Sequence, residues 1–192
     1  MGREFELKYE ANRENLEILK NRYPHLMPIS METTYYDTPG GQLGAMRWTF
    51  RKRMENGKSV ITLKTPAAGY GRNEWEVNCE DLLIGVENLV TAGAPAQILA
   101  YAVRDGFEAV CGARFTRLAG ILEIEGAMVE LALDEGVLLG GGKELPFTEV
   151  EVELKEGSEE AATRFAEKLA GELNLKSQPL SKVVRARKLA GL

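Results

Sequence analysis

The feature that most constrains this chain is an alternation of charged and apolar side chains with a period of two, which returns in segment after segment. Residues Glu4 to Glu10 place Glu4, Glu6 and Lys8 on one parity and Phe5, Leu7 and Tyr9 on the other. Successive side chains of a strand point to opposite faces, so this segment reads as a strand with one ionic and one apolar face. Trp48 to Met54 sets Arg51 and Arg53 against Trp48, Phe50 and Lys52, and Lys58 to Thr65 sets Val60, Thr62 and Lys64 against Ile61 and Leu63. Asn56-Gly57 between these two segments predicts a tight hairpin, because both residues tolerate positive φ. Tyr70 to Val77 repeats the habit, with Arg72, Glu74 and Glu76 opposite Asn73, Trp75 and Val77. Arg114 to Glu125 and Ala127 to Glu135 meet at Glu125-Gly126 as a second hairpin. Thr148 to Lys155 opposes Glu149, Glu151 and Glu153 to Val150, Val152 and Leu154. Met31 to Asp37, rich in Thr and Tyr, reads as a further strand.

Between these segments the period changes. Asn12 caps a short helix with Leu16 and Leu19 inward, ended by Pro24 and Pro28. Leu82, Leu83, Val86, Leu89 and Val90 suit one helix, and Ile98, Leu99, Ala102 and Val103 a second, divided at Gly93-Ala94-Pro95. Ser158 caps a long helix with Glu159 and Glu160 in its positive first turn and Ala162, Phe165, Leu169 and Leu173 as its buried stripe. The basic tail from Pro179 to Leu189 reads as a short helix. With 192 residues and no repeat or low-complexity linker, the expectation is one domain over residues 1–192, mostly antiparallel β with interspersed helices, an α+β fold.

Composition removes several function classes. There are 24 Lys+Arg against 29 Asp+Glu, a net charge of −5, and the pI near 5.2 argues against bulk nucleic-acid binding. A single histidine, His25, leaves histidine triads and zinc-hydrolase motifs almost no room. Two cysteines, Cys79 and Cys111, give neither a disulfide framework nor a zinc site. No run of about eighteen apolar residues predicts a membrane span, and the first residues lack the apolar stretch of a secretory signal. A reducing cytoplasm is the expected compartment.

One alternating strand by itself is usually half-exposed, with its charges in water. The repetition changes that reading. Glu149, Glu151 and Glu153 crowd three carboxylates on one side of one strand, where same-face residues stand about 7 Å apart. Like charges packed in this way destabilise a plain solvent face. A closed β-barrel with a polar interior accounts for both signs: carboxylates would hold Mg²⁺ or Mn²⁺, and lysines and arginines would grip phosphate oxygens. A metal–polyphosphate substrate requires both in one cavity.

These residues also carry a resemblance. Glu4-Phe5-Glu6-Leu7-Lys8 resembles the Glu-x-Glu-x-Lys signature of the CYTH, or triphosphate tunnel metalloenzyme, superfamily. Tyr35-Tyr36-Asp37-Thr38-Pro39 is similar to its second-strand motif, and Phe50-Arg51-Lys52-Arg53 to its Leu-Arg-x-Arg. Thr62-Leu63-Lys64-Thr65-Pro66 resembles its Thr-Leu-Lys strand, and Arg72-Asn73-Glu74-Trp75-Glu76 its Arg-x-Glu-x-Glu. Phe115-Thr116-Arg117, Leu131 to Gly136 and Glu149 to Leu154 look most like the bacterial inorganic triphosphatase branch, and Ser181-Lys182 resembles the C-terminal lysine motif. The likeness runs over residues 3–188. Lys52 departs from it, standing where the family has an apolar residue, and so does Gly40-Gly41-Gln42 after Pro39.

The resemblance implies an eight-stranded antiparallel closed β-barrel, a triphosphate tunnel, with helices packed outside. It implies Mg²⁺ or Mn²⁺ held by Glu4, Glu6, Asp134, Glu149 and Glu151. Glu153 is a further candidate for the metal, and its bland alternative is to orient lysines or arginines. The phosphate chain would be bound by Lys8, Arg51, Arg53, Lys64, Arg72, Arg117 and Lys182. Arg185, three residues on, either reaches the same phosphate or faces solvent. Glu4, Glu6, Lys8 and Glu151 are the expected catalytic set. Glu74 and Glu76 are expected to pair with arginines, Glu130 either to share Asp134's inward parity or to sit at a tunnel mouth, Arg114, on the opposite parity from Arg117, to be external, and Trp48 and Trp75 to pack under helices.

The activity implied is metal-dependent hydrolysis of inorganic tripolyphosphate to pyrophosphate and phosphate. Phosphoryl transfer depends on positioning and charge neutralisation, and no histidine or serine nucleophile is needed. Adenylyl cyclase and thiamine triphosphatase share the phosphate grip and stay open as alternatives. A polyphosphate- or nucleotide-binding sensor and a metal-free structural barrel are non-catalytic alternatives. The expected partner is a small-molecule triphosphate, with no nucleic acid, no membrane, no appended helical polyphosphate-binding domain, and a homodimer allowed.

Overall fold

The computed structural model describes residues 2–67 and 71–192, with side chains from residue 5 onward. In chain order the elements are β1 (Gly2–Glu4), β2 (Glu6–Glu10), α1 (Arg13–Arg22), β3 (Met27–Asp37), α2 (Gln42–Ala45), β4 (Thr49–Glu55), β5 (Lys58–Pro66) and β6 (Arg72–Asn78). They continue with α3 (Leu82–Thr91), α4 (Gln97–Arg104), β7 (Glu108–Ile124), β8 (Ala127–Gly140), β9 (Lys143–Gly157), α5 (Glu159–Leu173), β10 (Lys176–Ser177) and α6 (Lys182–Ala190). Asn12, Asp81, Ser158 and Ser181 cap α1, α3, α5 and α6 by accepting hydrogen bonds from backbone N–H groups. Asn56 and Gly57 both take positive φ, 48° and 82°, and turn β4 into β5 as a tight hairpin. The described part of the segment expected to begin at Tyr70 starts its strand at Arg72; Tyr70 itself lies outside the described residues.

The α+β class is as expected; the eight-stranded closed barrel is not. The strands form one antiparallel sheet of ten in the linear order β1-β6-β5-β4-β3-β7-β8-β9-β2-β10, and no ladder among the described residues joins its two ends. The reason lies at Phe5. A strand closing the sheet would have to carry ladders on both edges, but the first extended run is interrupted there. Its β1 half pairs with β6, its β2 half pairs with β9, and the other edge of β2 is taken at Tyr9 and Glu10 by β10. The sheet is therefore open but curled, with residues of β2 and of β6 lining one shared cavity.

The strands also run longer than their alternating cores suggest. β3 begins at Met27 and passes through Pro28, where it pairs with β7 alone because the β4 ladder starts only at Met31. Proline is tolerated on such a one-sided stretch because no second ladder asks for its missing N–H.

The apolar parities face outward into two packed clusters, and a third cluster lies on the concave side beneath α6. Helices α1 and α5 lay Leu16, Leu19, Ala162, Ala166 and Leu169 on Val129, Leu131, Leu133, Val150 and Val152. Helices α2 to α4 cover Phe50, Ile61, Leu63 and Trp75 with Leu43, Val86, Leu89 and Ile98. The third cluster joins Met31, Ala113, Phe115, Leu138 and Phe147 to Ala186 of α6. Tryptophans 48 and 75 lie in the second cluster, under helices as their parity predicts.

Helix α6 is seated by two devices. Asp37, only 1% exposed, accepts hydrogen bonds from the backbone N–H of Thr38, Leu43 and Gly44 at 2.8–3.0 Å and from Arg187 at 2.9 Å. Gly140 lets the helix backbone approach β8 directly: a Cβ there would stand 2.4 Å from the Ala186 carbonyl oxygen and 2.8 Å from the Ala190 nitrogen. Both obstacles are backbone, which cannot swing aside. Gly140→Ala is expected to lower unfolding stability by about 1–3 kcal/mol, read as a denaturation midpoint shift at unchanged slope; an unchanged midpoint would remove this account of how α6 docks.

Candidate active site

The ionic parities of the strands meet on the concave side of the sheet and line a cavity of about 360 Å³. Strand β2 contributes Glu6 and Lys8, β4 Arg51 and Arg53, β5 Lys64, β6 Arg72, Glu74 and Glu76, β7 Arg117, and β9 Glu151, Glu153 and Lys155. Lys182 enters from the first turn of α6. Cross-strand register explains the grouping. Glu6, Glu153 and Glu130 are direct neighbours across three strands, as are Lys8 and Glu151, and Lys64 and Glu74.

The wall built by β4 to β6 is mainly basic. Arg51 lies 3.6 Å from Glu74 and 3.5 Å from Glu76, Lys64 lies 3.3 Å from Glu74, and Thr62 donates to Glu76 at 3.0 Å. Burial alone would raise the pKa of Glu76, but Arg51, the hydrogen bond from Thr62 and the charges of Arg53 and Lys64 bring it below the ordinary 4.5. Arg53 pairs with Glu55 at 2.7 Å, and burial together with neighbouring Arg51 lowers its pKa. Arg72 donates to the backbone carbonyls of Arg47 and Lys64 at 2.8 and 3.2 Å, which fixes its guanidinium at the rim.

The opposite wall is a dense ionic network. Arg117 makes a two-pronged pair with Asp134 at 2.8 Å on both arms and also donates to Glu151. The ammonium of Lys182 lies 2.6 Å from Glu151, 2.8 Å from Asp134 and 3.4 Å from Glu149. Arg185 donates to Glu149, and Lys8 pairs with Glu6 at 2.8 Å. Burial would push the Glu151 carboxyl up, yet Lys182 and Arg117 hold it well below the usual carboxylate range. Burial likewise disfavours the charge of Lys182, and Asp134, Glu151 and Glu149 outweigh it, raising the pKa well above the ordinary ammonium value. Arg117 is raised in the same way by Glu151 and Asp134 against the cost of its burial.

Ten of the residues singled out from the sequence line this cavity: Glu6, Lys8, Arg51, Arg53, Lys64, Arg72, Arg117, Glu151, Glu153 and Lys182. Asp134 and Glu149 are fully buried behind the cavity lining, where they hold the cations that face it. Arg185 also stands behind, on Glu149. The side chain of Glu4 lies outside the described residues; its backbone pairs with Arg72. Glu130 lines the cavity with Glu153, and Arg114 is exposed and paired with Glu144, as their parities predict.

Three contributors were not anticipated. Lys155 lies 2.9 Å from Glu153 and 3.8 Å from Glu130, and its parity with Glu149, Glu151 and Glu153 is legible in the sequence. Phe115 and Phe147 form an aromatic shelf: Lys182 lies 5.3 and 5.4 Å from their ring centres, Arg117 5.9 Å from Phe115, and Arg185 5.5 Å from Phe147. Both share the parity of the neighbouring ionic residues, but apolar rings gave no signal that they face inward.

The donor chemistry of this wall suits a hard divalent cation, since carboxylate oxygens are the preferred ligands of Mg²⁺ and Mn²⁺. The ammonium of Lys182 is held there by oxygens of three acids. Among the described residues no three His, Cys, Asp or Glu side chains are preassembled as a metal cage.

Comparison with known proteins follows the same lines. An inorganic triphosphatase of Haemophilus influenzae is 26% identical over 161 residues, which is 82% of this chain and 45% of that protein, so the chain spans about half the length of that relative. HpAC1 of Hippeastrum, described as an adenylyl cyclase candidate with a dominant triphosphatase activity, shares the fold with a TM-score of 0.67 at 20% identity, covering 97% of this chain and 96% of its own. The PH1819 protein of Pyrococcus horikoshii does so with a TM-score of 0.60 at 22% identity, covering 94% and 96%. The CYTH domain family matches residues 2–186, almost the whole chain, and this protein belongs to that family.

Proposed function

We propose that this protein hydrolyses a triphosphate within the cavity, inorganic tripolyphosphate being the preferred substrate and pyrophosphate and phosphate the products. The observation that carries the reading is the composition of the cavity wall: eight basic side chains interleaved with seven carboxylates around about 360 Å³. A site for a simple anion would need the bases alone. The two relatives with triphosphatase activity in their descriptions support the reaction class.

Arg51, Arg53, Lys64 and Arg72 would grip one end of the phosphate chain, and Lys8, Arg117 and Lys182 the other. Forked guanidinium groups match phosphate oxygens in pairs, and Lys8, Lys64 and Lys182 add point charges. Mg²⁺ or Mn²⁺, when bound to Glu6, Glu151 and Glu153, would neutralise phosphate charge and help orient the attacking water. Glu151, kept ionised by its cationic neighbours, would accept a hydrogen bond from that water, and Asp134 and Glu149 would keep Arg117, Lys182 and Arg185 aimed. Cyclisation of ATP is the second reading, favoured by the adenylyl cyclase description of HpAC1.

A phosphate-release assay over tripolyphosphate, ATP and thiamine triphosphate, each with Mg²⁺ or Mn²⁺, tests the proposal. Strong orthophosphate release from tripolyphosphate is expected; cyclic AMP from ATP would move the assignment to the second reading, and inert triphosphates throughout would reject both. Glu6→Gln and Glu151→Gln should each lower kcat about a hundredfold or more with a native circular dichroism spectrum, and near-normal turnover in both would reject these roles.

The depressed pKa values of Glu76 and Glu151 also set a pH window. A carboxyl lowered on folding contributes stability that is fully present above its unfolded value, near 4.5, and is lost as the pH falls toward the folded value. Thermal stability should therefore change little through these groups from neutral pH down to that point and drop below it. In Glu151→Gln the acid-induced drop should be shallower, and an equal drop in variant and parent would refute the contribution.

A further inference from the structure

Behind the cavity surface, three carboxylates face three cations. Asp134, Glu149 and Glu151 are at most 5% exposed, and Arg117, Lys182 and Arg185 are their partners. That set is neutral as it stands. A divalent ion added to it would leave two uncompensated positive charges where water is scarce, and buried unpaired charge is strongly unfavourable. Something must leave when the ion arrives. Two of the three cations are poorly suited to go: Arg117 is clamped on both arms by Asp134, and Arg185 does not line the cavity.

Lys182 differs from both. Its ammonium borders the cavity, hangs on a flexible stem from the first turn of α6, and touches all three acids at once. A second observation points to the same place. Oε1 of Glu149 is buried with no hydrogen-bond partner, although Oε2 of the same group serves Lys182 and Arg185. That oxygen is an acceptor that no resident cation has taken, open to an ion that replaces the ammonium.

We propose that Lys182 is an exchangeable resident cation: it holds the Asp134–Glu149–Glu151 cluster in the absence of a divalent ion, gives up Glu151 when the ion binds, and turns to the phosphate chain. This deepens the function proposed above and rests on it. The exchange couples the two ligands, since each opens the site for the other, and such coupling is reciprocal. A phosphate that draws Lys182 away frees oxygens for the ion, and an ion that takes those oxygens frees Lys182 for phosphate.

The test is Mn²⁺ binding by calorimetry to the full chain without substrate. Lys182→Met keeps the length of the stem and removes the competing charge, so it should bind Mn²⁺ about tenfold more tightly than the parent. Lys182→Arg should stay within about threefold of the parent. Lys64→Met, which removes a cavity cation on the opposite wall beside Glu74, controls for general charge and should gain clearly less. Equal or weaker binding by Lys182→Met, no binding by either protein, or an equal gain in Lys64→Met overturns the proposal. Should Lys182→Met fail to fold, amine ¹⁵N spectra of the parent decide: the protected ammonium signal of Lys182 is expected to shift and lose protection on saturation with Mg²⁺, and an unmoved signal rejects the exchange. Tripolyphosphate hydrolysis is assayed on the same parent preparation. Turnover without a binding gain in Lys182→Met overturns the exchange alone, whereas absent turnover removes the proposed function and leaves the binding data to judge the cluster.

Discussion

The rest of this structure depends on how like charges crowded on the concave side of one sheet are neutralised. Strand geometry forces residues of one parity onto one face, so Glu149, Glu151 and Glu153 cannot avoid each other. Only cations delivered from elsewhere in the chain resolve that conflict. Arg117 arrives from β7, two strands away in the sheet, and Lys182 and Arg185 arrive on α6, which follows β9 after α5 and β10. Such buried pairs contribute little net stability, because desolvation offsets their attraction, yet removing one partner is costly. The division of labour follows from this: outward apolar parities against α1 to α5 hold most of the fold, a smaller inward apolar cluster seats α6, and the inward ionic residues hold the chemistry.

Helix α6 is where the two sides meet. Its inward face carries Lys182, Arg185 and Ala186, spaced i, i+3 and i+4: Ala186 packs with Phe115, Leu138 and Phe147, and Lys182 and Arg185 reach the carboxylates beside them. Arg187, turned away from that face, anchors on Asp37. Asp37 is occupied by three backbone N–H groups and one guanidinium, so the turn after β3 and the C-terminal helix are fastened through a single buried carboxylate. The aromatic shelf of Phe115 and Phe147 completes the seat: the rings exclude water from the ammonium while their faces attract it. Position and charge state of Lys182 are thus set by contacts far apart in the sequence.

Much of this is legible in the amino-acid sequence. Period-two parity separated Arg51 and Arg53 from Phe50, and Arg72, Glu74 and Glu76 from Trp75, and these residues face the cavity and the helices as their parity requires. Caps at Asn12 and Ser158 and the Asn56-Gly57 turn are local chemistry and needed no tertiary context. What parity could not supply was depth along the strand. Asp134 and Glu149 share the face of Glu151, but they lie beyond the cavity, wired to cations, because the longer parts of β8 and β9 pass under α6. Sheet closure was also beyond reach, since it turned on an interruption at Phe5 and a two-residue strand at Lys176–Ser177 that carry no periodic signal.

By itself the sequence determined which side of each strand is ionic, where the helices begin, and that acids and bases must share an enclosure, because these follow from alternation and local hydrogen bonding. Only the tertiary structure decided which acid answers which base, that the sheet stays open, and that Lys182 occupies the middle of a carboxylate cluster. Those outcomes depend on distances between segments well over a hundred residues apart in some cases, such as Asp37 and Arg187. Alternation along a strand encodes direction and carries no record of such distances.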